Sequence, residues 1–219
     1  VYWGFATLID HQVGRILDFM GDEGVLEDTL ILFLSDHGEL MGEHGLWHKS
    51  HAYESSLKVP FIFSAPWFRK GLRSKGKTSL IDIVPTILSL CGIDIPNNVE
   101  GMDLAKALNG QDEYLADRLL FSEHKPKGEW HKAVDWRMVA NGSFKYIWNN
   151  GDLDELYNIV NDPYELTNLI DSGQHGEIIG EYRNRLLEWM NKTSDPLKGV
   201  FLSDIGRKKC IPSENGAVG

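Results

Sequence analysis

The sequence has few cysteines, no long apolar run and no excess of positive charge. Its 219 residues include two cysteines, Cys91 and Cys210, whose positions form neither a metal-binding spacing nor a disulfide framework. No apolar stretch approaches the roughly 20 residues that a transmembrane helix needs. The 22 Lys and Arg residues against 32 Asp and Glu give a formal net charge of −10. Since nucleic-acid binding needs clustered cations, this composition argues against a nucleic-acid partner.

What the chain does contain is typical of a globular protein. Hydrophobic residues make up 42% and charged residues 25% of the sequence, which are ordinary shares. The length allows one large domain, or one domain with a smaller appendage. Because the overall charge is negative, an anionic substrate would need local positive charge from a metal ion or a few placed cations.

The most informative stretch runs from residue 30 to residue 60. It opens with the apolar run Leu30–Leu34, which is short and predicts a strand buried on both faces. Asp36 and His37 follow this run directly, and both side chains are competent metal ligands. In open α/β sheets, chemistry gathers at the carboxyl ends of strands. The pattern therefore predicts part of an active site after this strand.

The elements around this stretch predict an α/β unit up to about residue 117. Apolar residues at three-to-four spacing predict an amphipathic helix over 2–20 that packs on a sheet. The run 59–64 predicts a neighbouring strand, and Pro60 places the start of this run at a sheet edge or strand end. A helix is expected over 80–90, with a kink or late start near Pro85, and a short helix over 101–108. Cys91 is interpreted as a small buried side chain.

The periodicity changes at about residue 118. Short strand-like runs occupy 119–123, 136–140, 144–148 and 155–157, and Asn141-Gly142 predicts a hairpin between the middle two. An amphipathic helix is expected over 176–190, followed from about Asp195 by an irregular tail. We therefore predict two domains, an α/β part over 1–117 and a small antiparallel-sheet and helix subdomain over 118–219.

Several stretches resemble the sulfatases of the alkaline phosphatase superfamily, and only the C-terminal part of those enzymes. The matching stretches lie in the same order along the chain. They are Ser35-Asp-His-Gly-Glu39, Gly42-Glu-His-Gly-Leu-Trp-His-Lys49, Tyr53-Glu54, Val59-Pro60, 82–93, Asp154-Glu-Leu-Tyr-Asn158, Asn161-Asp-Pro163, Glu165 and Asn168-Leu169. The resemblance implies the C-terminal half of an alkaline-phosphatase-like α/β sandwich, joined to the small antiparallel α+β subdomain.

The resemblance also implies roles for four residues. Asp36 and His37 correspond to two ligands of the catalytic cation, usually calcium in sulfatases. Because calcium prefers oxygen ligands, His37 leaves magnesium, manganese or zinc open. Lys49 corresponds to a lysine that contacts the sulfate, where its ammonium suits an anionic oxygen. His48 is a weaker candidate for protonating the leaving group, and His44 is weaker still.

The family's nucleophile is a formylglycine made from Cys or Ser in a C/S-x-P-x-R motif. Neither Cys91 nor Cys210 lies in such a motif, so we expect the nucleophile and the remaining ligands on a missing N-terminal half. A hard cation normally takes six or more ligands, so two residues should not hold it tightly. We therefore expect this sulfatase fragment to show no turnover by itself, and to bind the missing half or self-associate through its apolar faces.

The resemblance implies a sulfated small molecule or glycan as substrate, and a periplasmic, secreted or lysosomal location. Two alternatives stay open. One is a phosphodiesterase or phosphonate monoester hydrolase of the same superfamily, and the other is a non-catalytic metal-binding or assembly subunit.

Other polar residues receive structural interpretations. Glu39 and Glu43 are expected to be solvated, and Trp47, Tyr53 and Glu54 to shape or pack the loop. Asp162, Glu165 and Asn168 are expected to form turns and caps. The loop containing His124, Trp130 and His131 is a weak candidate for substrate contact.

Overall fold

The computed structural model describes residues 1–126 and 134–209. The elements up to residue 117 are α1 (Tyr2–Asp22), β1 (Ile31–Leu34), α2 (Glu54–Leu57), β2 (Phe61–Ser64) and α3 (Ile83–Leu90). The elements after residue 117 are β3 (Leu120–His124), β4 (Trp136–Ala140), β5 (Phe144–Asn149), β6 (Glu155–Asn158), α4 (Gly176–Lys192) and α5 (Lys198–Lys209). We refer to these groups as the first region and the second region.

In the first region, β1 and β2 form a two-stranded antiparallel sheet in which Leu34 pairs with Phe61. The prediction that β1 is buried on both faces is wrong for this chain, since Phe33 is 38% exposed. Helix α1 forms where the periodicity predicts it, yet it buries none of its residues. The described elements therefore leave the apolar faces of α1 and β1 largely uncovered.

Helix α3 follows the prediction made from Pro85. A 3₁₀ turn over Leu80–Asp82 precedes it, and the regular helix begins only at Ile83. Gly92, with a φ of 67°, follows its end. Arg118 binds the buried Asp82 carboxylate through both of its terminal nitrogens, at 2.6 and 2.7 Å. This bidentate pair fixes the start of α3 against the chain segment that leads into β3.

In the second region, four strands form an antiparallel sheet in the order β3-β4-β5-β6. The Asn141-Gly142 hairpin is confirmed, and Asn141 Oδ1 accepts hydrogen bonds from the backbone N–H groups of Ser143 and Phe144. One face of the sheet packs on α4 and α5 around fully buried Tyr146 and Trp148. This region therefore has a closed core of its own.

Three local predictions are wrong. The tail is not irregular after Asp195, because Phe201 is buried against Trp148 and anchors helix α5. Over 101–108 only a 3₁₀ turn forms, at Ala107–Asn109, since Asp103 and Thr86 accept backbone N–H groups at 105 and 104. Cys91 is exposed rather than buried, since it lies where α3 ends.

Within the described ranges, no helix has the length and apolar character that crossing a bilayer requires.

Candidate functional site

Asp36 lies just beyond the end of β1 and points into solvent. Its side chain is 84% exposed, and its Oδ1 accepts the backbone N–H of His37 at 2.9 Å. This hydrogen bond, with smaller contributions from the charges of His37 and Lys49, lowers the pKa of Asp36. Asp36 is therefore an exposed, ionised carboxylate next to an imidazole.

The hydrogen bonds of His37 determine its tautomer. Its Nδ1 lies 2.7 Å from the carbonyl oxygen of Gly38, which can only accept, so Nδ1 carries the proton. The lone pair is then on Nε2, which lies 2.6 Å from Lys49 Nζ and 3.4 Å from Asp36 Oδ2. A metal-binding histidine is normally oriented in this way, with its other nitrogen donating to a carbonyl.

Asp36, His37 and Lys49 thus meet at one point, although 12 residues separate His37 from Lys49. We call these three residues the site cluster. An imidazole lone pair and a carboxylate oxygen facing one another favour a cation between them. In the structure the Lys49 ammonium contacts the imidazole lone pair.

The donor set suits part of a metal site and does not complete one. A carboxylate oxygen and an imidazole nitrogen are two suitable ligands. Across residues 1–126 and 134–209, no group of three or more His, Cys, Asp or Glu side chains is arranged to hold a metal ion. A tightly bound cation therefore needs ligands beyond these described residues.

Gly38 packs the site cluster against helix α2. Its N–H donates to Ser56 O at 2.8 Å, and a Cβ at this position would lie 2.0 Å from Ser55 O. Only glycine allows this approach. The end of β1 and α2 are therefore held at a fixed separation.

The loop from 40 to 50 is tied back onto the strand end. Leu40, which is fully buried, donates its N–H to His48 O at 2.9 Å, and Glu39 Oε1 accepts the N–H of His48 at 2.5 Å. Glu39 therefore accepts a structural hydrogen bond. The prediction that its carboxylate is simply solvated is wrong. His48 itself is exposed.

Two histidines near the site cluster, His44 and His51, pack against the Tyr53 ring. The His44 ring stacks on Tyr53 with centroids 3.8 Å apart, which favours the packing role over catalysis. Sequence reasoning missed His51, which lies near the other end of the same loop. Burial lowers the pKa of His51, and its Nδ1 has no partner among the described residues. No local pattern distinguished His51 from its neighbours.

The second region reaches the loop through a buried ion cluster that the sequence did not indicate. Lys145 is fully buried and lies 2.7 Å from both Glu54 Oε1 and Glu165 Oε1. Burial raises the pKa of Glu165. For Glu54, burial acts in the same direction but is outweighed by Lys145 and two further lysines, so its pKa is lowered. Glu165, which was expected to form a turn or cap, instead links the two regions through Lys145 and Glu54.

The site cluster is open to solvent in this chain. Neither of two concavities, of about 410 and 780 Å³, is lined by Asp36, His37 or Lys49. His124 stacks with Trp136 at 5.8 Å, while Trp130 and His131 lie outside the described residues. The described residues therefore do not form a pocket around the site cluster.

Comparisons with known proteins identify relatives over most of the chain. A family model described as "N-sulphoglucosamine sulphohydrolase, C-terminal" matches residues 42–192. A second model, described as a protein of unknown function, matches residues 2–78. An arylsulfatase of Clostridium perfringens is 36% identical over 194 residues, covering 85% of this chain and 39% of the arylsulfatase.

Solved structures show the same fold. A 2-O GAG sulfatase superposes with a TM-score of 0.79 at 27% identity, covering 87% of this chain and 42% of that one. A phosphonate monoester hydrolase of Agrobacterium radiobacter gives 0.76 at 26% identity, covering 87% and 40%. The predicted fold class is confirmed. The chain spans about two fifths of the length of these proteins.

Proposed function

This chain belongs to the sulfatase family, and from that premise we propose that it supplies one part of the active site of a sulfate-ester hydrolase. The observation that carries the proposal is the meeting of Asp36, His37 and Lys49 at one point. Each lies in a stretch that resembles the family, and their side chains combine a metal-binding pair with a cation suited to an anionic oxygen.

In this proposal Asp36 and His37 are two ligands of a divalent cation. The family favours calcium, and the imidazole ligand keeps magnesium, manganese and zinc as candidates. When bound, the cation would act as a Lewis acid toward a sulfate oxygen. The tautomer held by Gly38 O keeps the His37 Nε2 lone pair available for it.

Lys49 has the role of binding the sulfate. In the structure its ammonium donates to His37 Nε2, and a sulfate oxygen is a stronger acceptor because it is charged. Lys49 would then stabilise the charge that develops as the ester bond breaks. His48, which is exposed beside Lys49, is our candidate for protonating the leaving alcohol.

The remaining parts of the site come from outside the described residues. We propose that a formylglycine nucleophile and further metal ligands are supplied by a polypeptide segment corresponding to the rest of the relatives' length. The uncovered apolar side chains of α1 and β1, such as Phe5, Ile16 and Phe33, offer a surface for that segment. Self-association of this chain is the other occupant we consider.

The substrate class we propose is a sulfated glycan. The matching family model is named for a sulphoglucosamine sulphohydrolase, and the superposed 2-O GAG sulfatase is named for a sulfated glycan. A sulfated small molecule is the alternative, because the arylsulfatase is also similar to this chain.

A second candidate function is the hydrolysis of phosphonate monoesters. The likeness to a phosphonate monoester hydrolase favours it, with a TM-score close to that of the sulfatase. The two functions use tetrahedral anions of similar shape, so the site cluster suits both. Sulfate-ester hydrolysis and phosphonate-monoester hydrolysis are both catalytic functions, whereas the third alternative, an assembly subunit, is not.

The test is to express the complete gene and measure hydrolysis of 4-nitrophenyl sulfate and of a phenyl phosphonate ester side by side. We expect faster hydrolysis of the sulfate, with Lys49→Ala lowering kcat/KM by a factor of about 100 or more, as for loss of a charge-stabilising donor. Lys58→Ala, an exposed lysine nearby, is the matched control. Preferential hydrolysis of the phosphonate would favour the second function, and hydrolysis of neither would favour the assembly subunit.

A further inference from the structure

We propose that the sheet of the second region positions Lys49, and that Trp136 is the main positioning residue. The sheet does so by holding residues 50–54, which follow Lys49 directly. The inference rests on the role proposed for Lys49, although the contacts themselves do not depend on it.

The first contact lies next to Lys49. The indole Nε1–H of Trp136, a buried residue at the start of β4, donates to the carbonyl oxygen of Ser50 at 2.7 Å. This carbonyl belongs to the residue that immediately follows Lys49, so the bond limits how the backbone of Lys49 can move. The two residues are 86 positions apart in the sequence.

The backbone on both sides of Lys49 has unfavourable conformations. His48 has a φ of 69° and Ser50 has a φ of 119°, which L-residues rarely adopt. Such conformations persist only where the surrounding structure holds them. The hydrogen bonds of Glu39 to His48 and of Trp136 to Ser50 are the restraints on the two sides.

Further contacts extend this restraint along the segment. Lys145 Nζ donates to Ala52 O at 3.0 Å, and Glu165 Oε2 accepts the N–H of Glu54 at 2.6 Å. Between them, the Tyr53 hydroxyl donates to Glu155 Oε2 at 3.0 Å. Ala52 itself is buried in an apolar cluster with Trp136 and Met138 of β4. Three of the five residues in 50–54 are therefore hydrogen-bonded to strands of one sheet, and Glu54 is bound to Glu165 in the chain that follows β6.

This arrangement explains why an exposed lysine can have a defined position. Lys49 is exposed, and a long exposed side chain normally samples many rotamers. Fixing its backbone on the C-terminal side directs the ammonium toward His37. We infer that loss of the Trp136 donor lets Ser50 relax to an ordinary φ and moves Lys49 away from Nε2.

The test uses Trp136→Phe, which removes the indole donor and keeps an aromatic ring in the core. The readout is the imidazole ¹⁵N shift of His37 Nε2 in ¹⁵N-histidine-labelled chain at one fixed pH. Lys49→Met gives the reference shift for complete loss of the lysine contact. We expect Trp136→Phe to move the shift at least halfway to that reference.

Trp148→Phe is the matched control. Trp148 lies on the adjacent strand β5 and is also buried, and its indole donates to Asp204 at 2.9 Å, away from residues 50–54. The Trp148→Phe variant also loses an indole N–H donor, but it should leave the His37 shift unchanged. An unchanged shift in Trp136→Phe, or an equal change in both variants, would overturn the inference.

A second pair tests the same segment with little disturbance of packing. Tyr53→Phe removes the hydroxyl of the segment, whereas Tyr157→Phe removes the other hydroxyl bound to the same Glu155 oxygen, at 2.6 Å. We expect a smaller His37 shift change in Tyr53→Phe and none in Tyr157→Phe, and the reverse order would count against the inference. Since neither pair uses hydrolysis, a complete gene product that hydrolyses neither ester would refute the proposed function and leave this test intact.

Discussion

The two regions of this chain bury their apolar residues to very different degrees. In the second region one sheet and two helices enclose Trp148, Leu186 and Phe201 completely. In the first region helix α1 buries nothing, and most of the exposed large apolar side chains of the described chain precede residue 118. The site cluster lies in the open region, and its best-fixed neighbours, residues 50–54, are bound to the closed one.

Because of this difference, the stable core and the site cluster lie in different regions of the molecule. Burial of apolar surface contributes about 25 cal/mol per Å², so a closed core gives the second region stability of its own. The first region depends on contacts with that core and on whatever covers its apolar faces. Residues 50–54, which follow the proposed sulfate-binding Lys49, are thereby held in place although the first region buries little apolar surface.

The largest effect we predict comes from breaking the link between the regions. Lys145→Met leaves Glu165, which has 2% side-chain exposure, buried without its cation. We expect a loss of about 3–5 kcal/mol in the free energy of unfolding, measured by urea denaturation. Arg185→Met, which removes an exposed cation from α4, should cost under about 1 kcal/mol. Equal losses in the two variants would mean that the buried Lys145 contributes no more to stability than an exposed cation does.

The next effect sharpens the same comparison from the side of the first region. Gly38→Ala places a methyl group 2.0 Å from Ser55 O, a backbone atom that cannot rotate away. We expect a loss of about 3 kcal/mol in the free energy of unfolding. Gly14→Ala, in α1 with nothing within 4 Å, should instead gain about 1 kcal/mol. Thermal melts of both variants decide the point, and a neutral Gly38→Ala would contradict the close approach.

A smaller, pH-dependent effect is expected within the second region. Burial raises the pKa of Asp195, but its hydrogen bonds with Arg137 and with the Leu197 N–H outweigh this, so the pKa is lowered from its ordinary value. The stabilisation is then fully present above the unfolded pKa and is lost as the pH falls through the folded pKa.

Asp195→Asn should therefore cost about 2 kcal/mol at pH 7 and much less in strong acid, which denaturation at several pH values measures. Asp10→Asn on the exposed face of α1 should cost nothing at any pH. A constant cost of Asp195→Asn from pH 7 down to pH 2 would show that its charge is not involved.

The smallest effect on stability should accompany a clear effect on association. The double variant Phe5→Glu with Ile16→Glu changes two side chains of α1 that are 59% and 58% exposed. We expect the free energy of unfolding to change by less than about 0.5 kcal/mol, while self-association measured by sedimentation falls. The control is the double variant Thr7→Glu with His11→Glu, which adds a similar negative charge to α1. It should self-associate more than the Phe5→Glu with Ile16→Glu variant does. Equal sedimentation of the two double variants would remove α1 from the associating surface.

Local patterns predicted most of the elements. The hairpin at Asn141-Gly142 and helix α4 follow from turn chemistry and apolar spacing, which act over a few residues. Helix α5 was missed because its main anchor is one distant contact, Phe201 on Trp148. The burial of β1 was overestimated because an apolar run indicates what a strand can bury and not what covers it.

The sequence predicted the residues of the site cluster but not the contacts that hold the neighbouring segment 50–54. Asp36, His37 and Lys49 lie in one short stretch, so a strand end and a family resemblance were enough to group them. The restraint on residues 50–54 comes from Trp136, Lys145 and Glu165, which are 86 to 111 positions away from their partners. No local pattern encodes such pairs. They depend on the packing of the sheet against the loop.

We propose that this chain holds only part of a metal and sulfate site. The most direct measurement is a calcium titration of the 219-residue chain by calorimetry, repeated with Asp36→Ala. With two ligands from the chain, we predict weak or undetectable binding that Asp36→Ala changes little. Tight binding that Asp36→Ala abolishes would mean that the chain completes its own metal site, and would contradict this account.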